Sequence, residues 1–339
     1  MIDPYIYVGL AGDTDPGRFL SAGLFRRTAA SDRWESLASR FDEAVEVRCI
    51  LTDARRPGFL LIGTQRGVLA SEDHGEHWRL LHSPRSSRAV WSLARLPGEA
   101  GALVAGYEPC ALYFSQDSGA SWTGGAVNVR HPDITAAGHV PKRVTGIAGC
   151  EFDRDCLYAT LEVGGLLRSD DGGQTWRSII DGVYVADDAL DLHAVVADAR
   201  QPRSVTVATR VGLFRSGDCG EHWRKLPVPV QTDRGVYCRS FACAPDDPAT
   251  LYLGAGDGFE GDNGVFLISR DDGETWDAPQ HPVVLKSAVF AIATDVRQPS
   301  RVAFASKYGD VLLSEDRGHT WASLPLPRGV GHVFSLALG

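Results

Sequence analysis

The chain has 339 residues, 44% hydrophobic and 23% charged, with a formal net charge of −9 at pH 7. This is a globular composition, which excludes wholesale disorder. With no apolar run of 18 residues a membrane-spanning helix is excluded, and the acidic balance argues against a general binder of phosphate backbones.

The first element, Tyr5–Leu10 (YIYVGL), alternates as a strand but has no strand before it to pair with. Next comes Ala30-Ser31-Asp32-Arg33-Trp34, a degenerate seventh copy of the motif that follows. After it an octapeptide recurs six times: SEDHGEHW at 71–78, SQDSGASW at 115–122, SDDGGQTW at 169–176, SGDCGEHW at 216–223, SRDDGETW at 269–276 and SEDRGHTW at 314–321. From Trp34 onward the Trp-to-Trp spacings are 44, 44, 54, 47, 53 and 45. That period, with short strands between turns, predicts a propeller and not a helical solenoid.

Each repeat reads as four strands. In the last, 287–294 alternates, 295–300 turns, 301–306 is the second strand, 310–314 the third, and 320–324 begins the fourth. No stretch has a convincing 3.6-residue period, so essentially no helix is expected. The terminal Val333–Leu338 (VFSLAL) matches the innermost strands at 90–95 (VWSLAR) and 289–294 (VFAIAT). It is expected to complete the first blade and remove the open edges. The predicted fold is all-β: a seven-bladed β-propeller of four-stranded antiparallel blades, one domain over 1–339, closed by 333–338.

The octapeptide S-x-D-x-G-x-T-W resembles the Asp-box, or BNR repeat, of sialidases, some endoglucanases, sortilin-like receptors and photosystem-assembly propellers. The resemblance covers the chain from end to end and implies the propeller, but the family is functionally mixed. It also implies that each box forms the turn between strands three and four, on the face away from an active site. Turn chemistry fits: Asp and Ser cap backbone N–H groups, Gly takes a positive φ, and Trp packs between strands. So Asp73, Asp117, Asp171, Asp218, Asp271 and Asp316 are expected to be structural. The same holds for His74, His77, His222 and His319.

The opposite face carries the polar residues that break the pattern. Aligning the seven innermost strands makes the first position (Val47, Val90, Val144, Leu192, Cys238, Val289, Val333) and the fourth (Ile50, Leu93, Ile147, Val195, Phe241, Ile292, Leu336) core rows. The second position is Arg48, Trp91, Thr145, His193, Arg239, Phe290 and Phe334. The residue before each strand is Glu46, Ala89, Arg143, Asp191, Tyr237, Ala288 and His332. Period-two geometry puts these last two rows on one side of each strand. Unpaired charge buried there is costly, so either these groups pair with each other as a plug or they face a wet pocket. The loops from strand two to three add Asp13, Glu108, Glu162, Arg210, Glu260 and Lys307. Long connections at 123–142, 179–190 and 257–263 shape the same face.

The expectation is a pocket at the axial mouth. His193, His332, Glu46, Tyr237 and Asp191 are the candidates for catalysis. Arg48, Arg143, Arg239, Glu108, Glu162, Arg210 and Lys307 are the candidates for substrate binding, the arginines suiting a carboxylate, sulfate or phosphate. No cofactor is expected; a divalent metal, if one binds, would take His193, Asp191, His332 and Glu46. The leading expectation is a cytoplasmic hydrolase or lyase acting on a small anion, with no nucleic-acid or membrane partner. A binding or assembly propeller and a glycoside hydrolase using Glu108 and Glu162 are the alternatives; the resemblance to sialidases adds a weaker one, because their Arg-Ile-Pro segment is absent here. Oligomeric state is not legible. Seven cysteines without a Cys-x-x-Cys pair, and a start (Met1 to Tyr5) with no signal-like pattern, suggest reduced thiols. Cys150 and Cys156 flank a tight turn where they could approach each other.

Overall fold

Alternating segments separated by tight turns pair with their neighbours in sequence, and here they build seven separate sheets. The computed structural model describes residues 4–12, 21–82, 88–98, 101–129, 140–179, 190–229 and 236–339. The innermost strands of successive sheets contact one another in an unbroken ring. The sheets are therefore the blades of a seven-bladed propeller. Counted from the axis outward, blade 1 is Val333–Leu338, Tyr5–Leu10, Gly23–Thr28 and Glu35–Ser36. Blades 2, 3, 5 and 7 also have four antiparallel strands.

Two blades depart from the four-strand expectation. Blade 4 gains a fifth strand, Ala126–Asn128, which runs parallel to Thr175–Ser178 and comes from the connection leaving blade 3. Blade 6 has three strands, Tyr237–Cys243, Leu251–Gly256 and Gly264–Ser269, and its fourth place is reduced to a bridge between Ile268 and Asp277. A 3-10 turn sits at Ala38–Arg40.

The chain ends meet as expected. Val333–Leu338 runs antiparallel to Tyr5–Leu10, with Ile6 opposite Leu338 and Val8 opposite Leu336. Tyr5 N donates to Gly339 O at 2.6 Å, and Gly339 N to Tyr5 O at 2.9 Å. Apolar side chains fill the seams between blades, so the core is a ring of clusters. Ile6, Val8 and Leu336 of blade 1 pack with Ala303, Val311 and Leu313 of blade 7. At the seam of blades 6 and 7, Phe266 stacks on Phe304 with centroids 4.4 Å apart, and Trp321 meets Phe304 edge-on at 4.9 Å.

The octapeptides all form the same turn. In the box at 115–122, Gly119 N donates to Ser115 Oγ at 2.8 Å, and Ser115 Oγ donates to Asp117 Oδ1 at 2.8 Å. Asp117 also accepts from Ser121 N at 2.8 Å and Ser121 Oγ at 2.6 Å. Trp122 Nε1 closes the turn on Gly119 O at 3.1 Å. The box glycine has φ near 90° at all six copies, a conformation that favours residues without a Cβ. His77 and His222 replace the hydroxyl, each with Nδ1 2.7 Å from the box aspartate. The segment ending at Trp34 lacks this cradle; Asp32 is exposed, and Trp34 Nε1 donates to Leu324 O of blade 7 at 3.0 Å.

Two predictions follow from closure and from the turns. Deleting residues 332–339 strips blade 1 of its innermost strand and opens the seam with blade 7. The truncated chain should lose cooperative melting in calorimetry; a melt like that of the full chain would contradict closure. Hydrogen bonds from Ser121 and Thr320 hold the carboxyls of Asp117 and Asp316 down at about 2, below an unfolded value of about 3.9. A depressed folded pKa stabilises above the unfolded value, and that contribution disappears as pH falls through the folded one. The Tm should therefore drop between about pH 4 and 2, and Asp117→Asn should make that drop shallower.

Candidate functional site

Each innermost strand carries a β-bulge at the same place. In blade 2 the ladder passes from Val47 opposite Thr64 to Cys49 opposite Gly63, skipping Arg48. The residues skipped in the other blades are Trp91, Thr145, His193, Arg239, Phe290 and Phe334. These seven are the anomalous second-position row. A bulge leaves one residue unpaired and re-aims its side chain, and here all seven point into the axial channel.

The channel has a volume of about 330 Å³ and is built in three tiers. The bulge residues form the mouth. The third-position residues below them are small: Cys49, Ser92, Gly146, Ala194, Ser240, Ala291 and Ser335. The fourth-position row, expected as core, lines the channel beneath, and Ile50, Leu93, Ile147 and Ile292 are only half-buried. Strands tilted around an open axis leave that row facing the channel.

The bulge also leaves the first-position carbonyl without a full ladder, and the preceding blade supplies its partner. Ser335 Oγ donates to Val47 O at 3.2 Å, Ser92 Oγ to Val144 O at 2.8 Å, and Ser240 Oγ to Val289 O at 3.0 Å. Blades 4 and 5 have Gly146 and Ala194 at that position, and there the bulge residue takes over. Thr145 Oγ1 donates to Leu192 O at 2.7 Å, and His193 Nδ1 lies 2.7 Å from Cys238 O. Sequence inspection missed this exchange. Its signal is the absence of a third-position hydroxyl in the two blades where the second position is Thr or His.

Most charges at the mouth are paired. Arg48 is bonded to Glu46 and lies over Trp91 at 5.0 Å. Arg143 lies over Trp91 at 4.1 Å, with Glu162 at 2.7 Å and Glu108 at 3.6 Å. His193 Nε2 is 3.4 Å from Asp191 Oδ1. Burial pushes the Asp191 carboxyl up, but His193, Arg239 and Arg210 outweigh it and hold it below the ordinary value. Tyr237 packs 4.8 Å from the His193 ring, and burial pushes its phenol up. Lys307 is fully buried, 2.6 Å from Glu260 and 3.1 Å from Phe259 O, with the Phe259 ring at 3.8 Å. Burial pushes its amine down against the pull of Glu260.

Arg239 differs. Its guanidinium lies over Phe290 at 4.7 Å and Phe334 at 5.8 Å. Among the described residues it has no carboxylate partner, and its buried Nε has no hydrogen-bond partner.

Of the predicted residues, Arg48, His193 and Arg239 line the channel. Glu46 pairs with Arg48, and Asp191 and Tyr237 meet His193; Arg143 and Lys307 pack on the aromatics beside them, and Glu108 and Glu162 pair with Arg143. Arg210 is exposed and reaches Asp191 through its backbone N–H at 3.0 Å. His332 is buried with φ 59°, its ring 6.2 Å from Tyr308, and does not line the channel. No group of three or more His, Cys, Asp or Glu side chains among the described residues is placed to hold a metal, so the four proposed ligands do not assemble there. Asp13 and, within the two long connections, residues 130–139 and 180–189 lie outside the described residues.

No family model matches the chain. It is 26% identical to xyloglucanase Xgh74A of Acetivibrio thermocellus over 223 residues, 55% of this chain but only 26% of that protein. It thus spans about a quarter of that relative's length. It is 23% identical to the photosystem II assembly lipoprotein Ycf48 of Synechococcus sp. over 290 residues, 74% of this chain and 79% of that one. Among solved structures, a Niastella koreensis GH74 enzyme superimposes with a TM-score of 0.64 at 19% identity, covering 82% of this chain and 45% of its own. Ycf48 bound to D1 peptide gives 0.58 at 17%, covering 94% and 96%. These likenesses establish the propeller.

The partners predict different stability changes for two channel residues. His193→Phe leaves the Cys238 carbonyl and Asp191 unpaired and should cost about 1–3 kcal/mol. Arg239→Met strands no carboxylate and should stay within about 0.5 kcal/mol of the parent in chemical denaturation. Equal losses in both would make Arg239 a structural group.

Proposed function

We propose that this propeller is a binding module that captures an anionic segment of a partner polypeptide at its axial mouth. The observation that carries this reading is the state of Arg239. The other mouth cations, Arg48, Arg143 and Lys307, each have a carboxylate; among the described residues Arg239 has no paired carboxylate, and it lies on two phenyl faces. A partly desolvated guanidinium on an aromatic bed suits bidentate capture of a carboxylate. The likeness to Ycf48 supports the polypeptide: it runs nearly the full length of both chains, and one of those structures holds a peptide. The box aspartates, spent on turns as in Asp-box proteins, add no chemistry on the opposite face.

The likeness to xyloglucanases favours glycoside hydrolysis as a second reading. That chemistry needs one carboxyl carrying a proton and a second acting as base or nucleophile. Glu108 and Glu162 instead close on the same guanidinium, Arg143. Hydrolysis or elimination on a small anion would lean on His193, but one nitrogen faces the Cys238 carbonyl and the other Asp191. A general base needs an open lone pair near its substrate.

Fluorescence polarisation with labelled Asp- and Glu-rich peptides, against their Asn and Gln counterparts, tests the proposal. Acidic peptides should bind more tightly, and more weakly as salt rises. Arg239→Met should lower affinity at least about tenfold, or 1.4 kcal/mol, at unchanged Tm. Equal binding by the parent and Arg239→Met would overturn it. Release of reducing ends from xyloglucan that Glu162→Gln abolishes would favour the second reading.

A further inference from the structure

We propose that Cys150 and Cys156 form a reversible thiol–disulfide couple, a redox modification site at the box end of blade 4. Cys150 ends the innermost strand Val144–Cys150, and Cys156 lies on the neighbouring Asp153–Leu161. A bulge between Gly149 and Cys150 turns the strand end so that the two sulfurs stand 2.9 Å apart. Bonded sulfurs stand about 2.05 Å apart, so bridging needs a shift of less than about 1 Å.

The surroundings separate this pair from the other thiols. Burial pushes Cys49, Cys110 and Cys238 up to about 12, which makes them inert. Cys156 is driven the other way. The Cys150 thiol donates to it, and the Arg168 guanidinium favours its anion, so its pKa falls while that of Cys150 rises. A stabilised thiolate beside a protonated partner is the arrangement of a nucleophile and its resolving thiol. Cys150 is half-buried, giving a small oxidant a route to the pair. Arg168 also donates to Cys219 O in the next blade at 3.2 Å, which places a third thiol nearby as the competing partner.

The oxidant is a hydroperoxide. The Cys156 thiolate attacks one peroxide oxygen, the O–O bond breaks, and hydroxide leaves, giving a sulfenic acid on Cys156. The Cys150 sulfur then attacks the Cys156 sulfur while its proton passes to the departing sulfenic hydroxyl. The S–O bond breaks as the sulfenic hydroxyl takes that proton and leaves as water, and the hydroxide from the peroxide takes up the proton Cys156 lost on ionising, so two thiols and hydrogen peroxide become one disulfide and two waters. Thiol reductants reverse the step by exchange. Oxidation removes the Cys156 anion from beside Arg168, the residue that ties blade 4 to blade 5.

The test treats the full chain with hydrogen peroxide, alkylates the remaining thiols, digests with trypsin and maps the products by mass spectrometry. Arg154 separates the two cysteines in sequence, so a bridge joins two tryptic peptides. The expected result is a Cys150–Cys156 bridge that dithiothreitol reverses and that forms at least tenfold faster than Cys110 or Cys243 oxidises. Cys150→Ser should leave a sulfenic acid on Cys156 that dimedone traps. The proposal is overturned if Cys150 and Cys156 stay reduced while Cys110 or Cys243 oxidises, or if Cys156 bridges to Cys219. Both outcomes are read on the parent protein, so neither depends on a variant folding.

Discussion

Seven strands that converge on one axis cannot all keep regular ladders, because each must turn its end toward a shared opening. The bulge after the first residue makes that turn, and it leaves a backbone carbonyl that the blade's own sheet does not fully satisfy. A buried carbonyl without a donor costs as much as a lost hydrogen bond or more. At five junctions a side chain from the preceding blade answers it: Ser335, Ser92, Thr145, His193 and Ser240. The inner ring is thus stitched at the point where the blades are also committed to pointing side chains into the channel.

The same constraint explains the electrostatics of the mouth. A bulged side chain is aimed at the axis whatever its chemistry, so an arginine there needs a partner or a polarizable surface. Arg48 has both, in Glu46 and Trp91, and Arg143 shares the Trp91 ring while two glutamates neutralise it. Among the described residues Arg239 has no ion-pair partner and rests on the rings of Phe290 and Phe334. Rings offer a guanidinium about 0.5–2 kcal/mol and accept none of its hydrogen bonds, so its donors remain available to an incoming anion.

The period of the boxes, the strand alternation and the match of Val333–Leu338 to the inner strands were all legible, because turn chemistry and period two are local. The anomalous second-position row was legible too, as a departure from an apolar pattern. What local pattern does not carry is which group answers which across a seam. Period two places Glu46 beside Arg48 and Asp191 beside His193, and those pairs formed. It does not reveal that Glu108 and Glu162 close on Arg143 from two blades, nor that His193 serves a carbonyl in blade 6. The fourth-position row was misplaced because apolar character marks a dry surface equally well in a packed core and on a channel wall.

Blade 1 shows how far one device substitutes for another. It is assembled from both chain ends and lacks the Ser-Asp cradle, yet its outer turn is tied down by Trp34 on the Leu324 carbonyl of blade 7. On its other side Arg26 donates to His74 O at 2.8 Å and pairs with Glu35 and Glu76, anchoring it to the box of blade 2. Arg168 and Arg215 reach the next box in the same way, through Cys219 O and Asp272 O. The boxes therefore act as docking points between blades as well as closures within them. A blade can lose its own box and still hold its place, provided it reaches the box of its neighbour. At the seams of blades 1 and 2, 4 and 5, and 5 and 6 a side chain near the axis and an arginine near the boxes both hold, and the bulge residues Phe290 and Arg239 supply none of these bonds. Residues as different as Phe290, Thr145 and Arg239 occupy equivalent positions in one ring, and where the bulge residue answers no carbonyl, as at Arg239, binding chemistry can be placed at low cost to the scaffold.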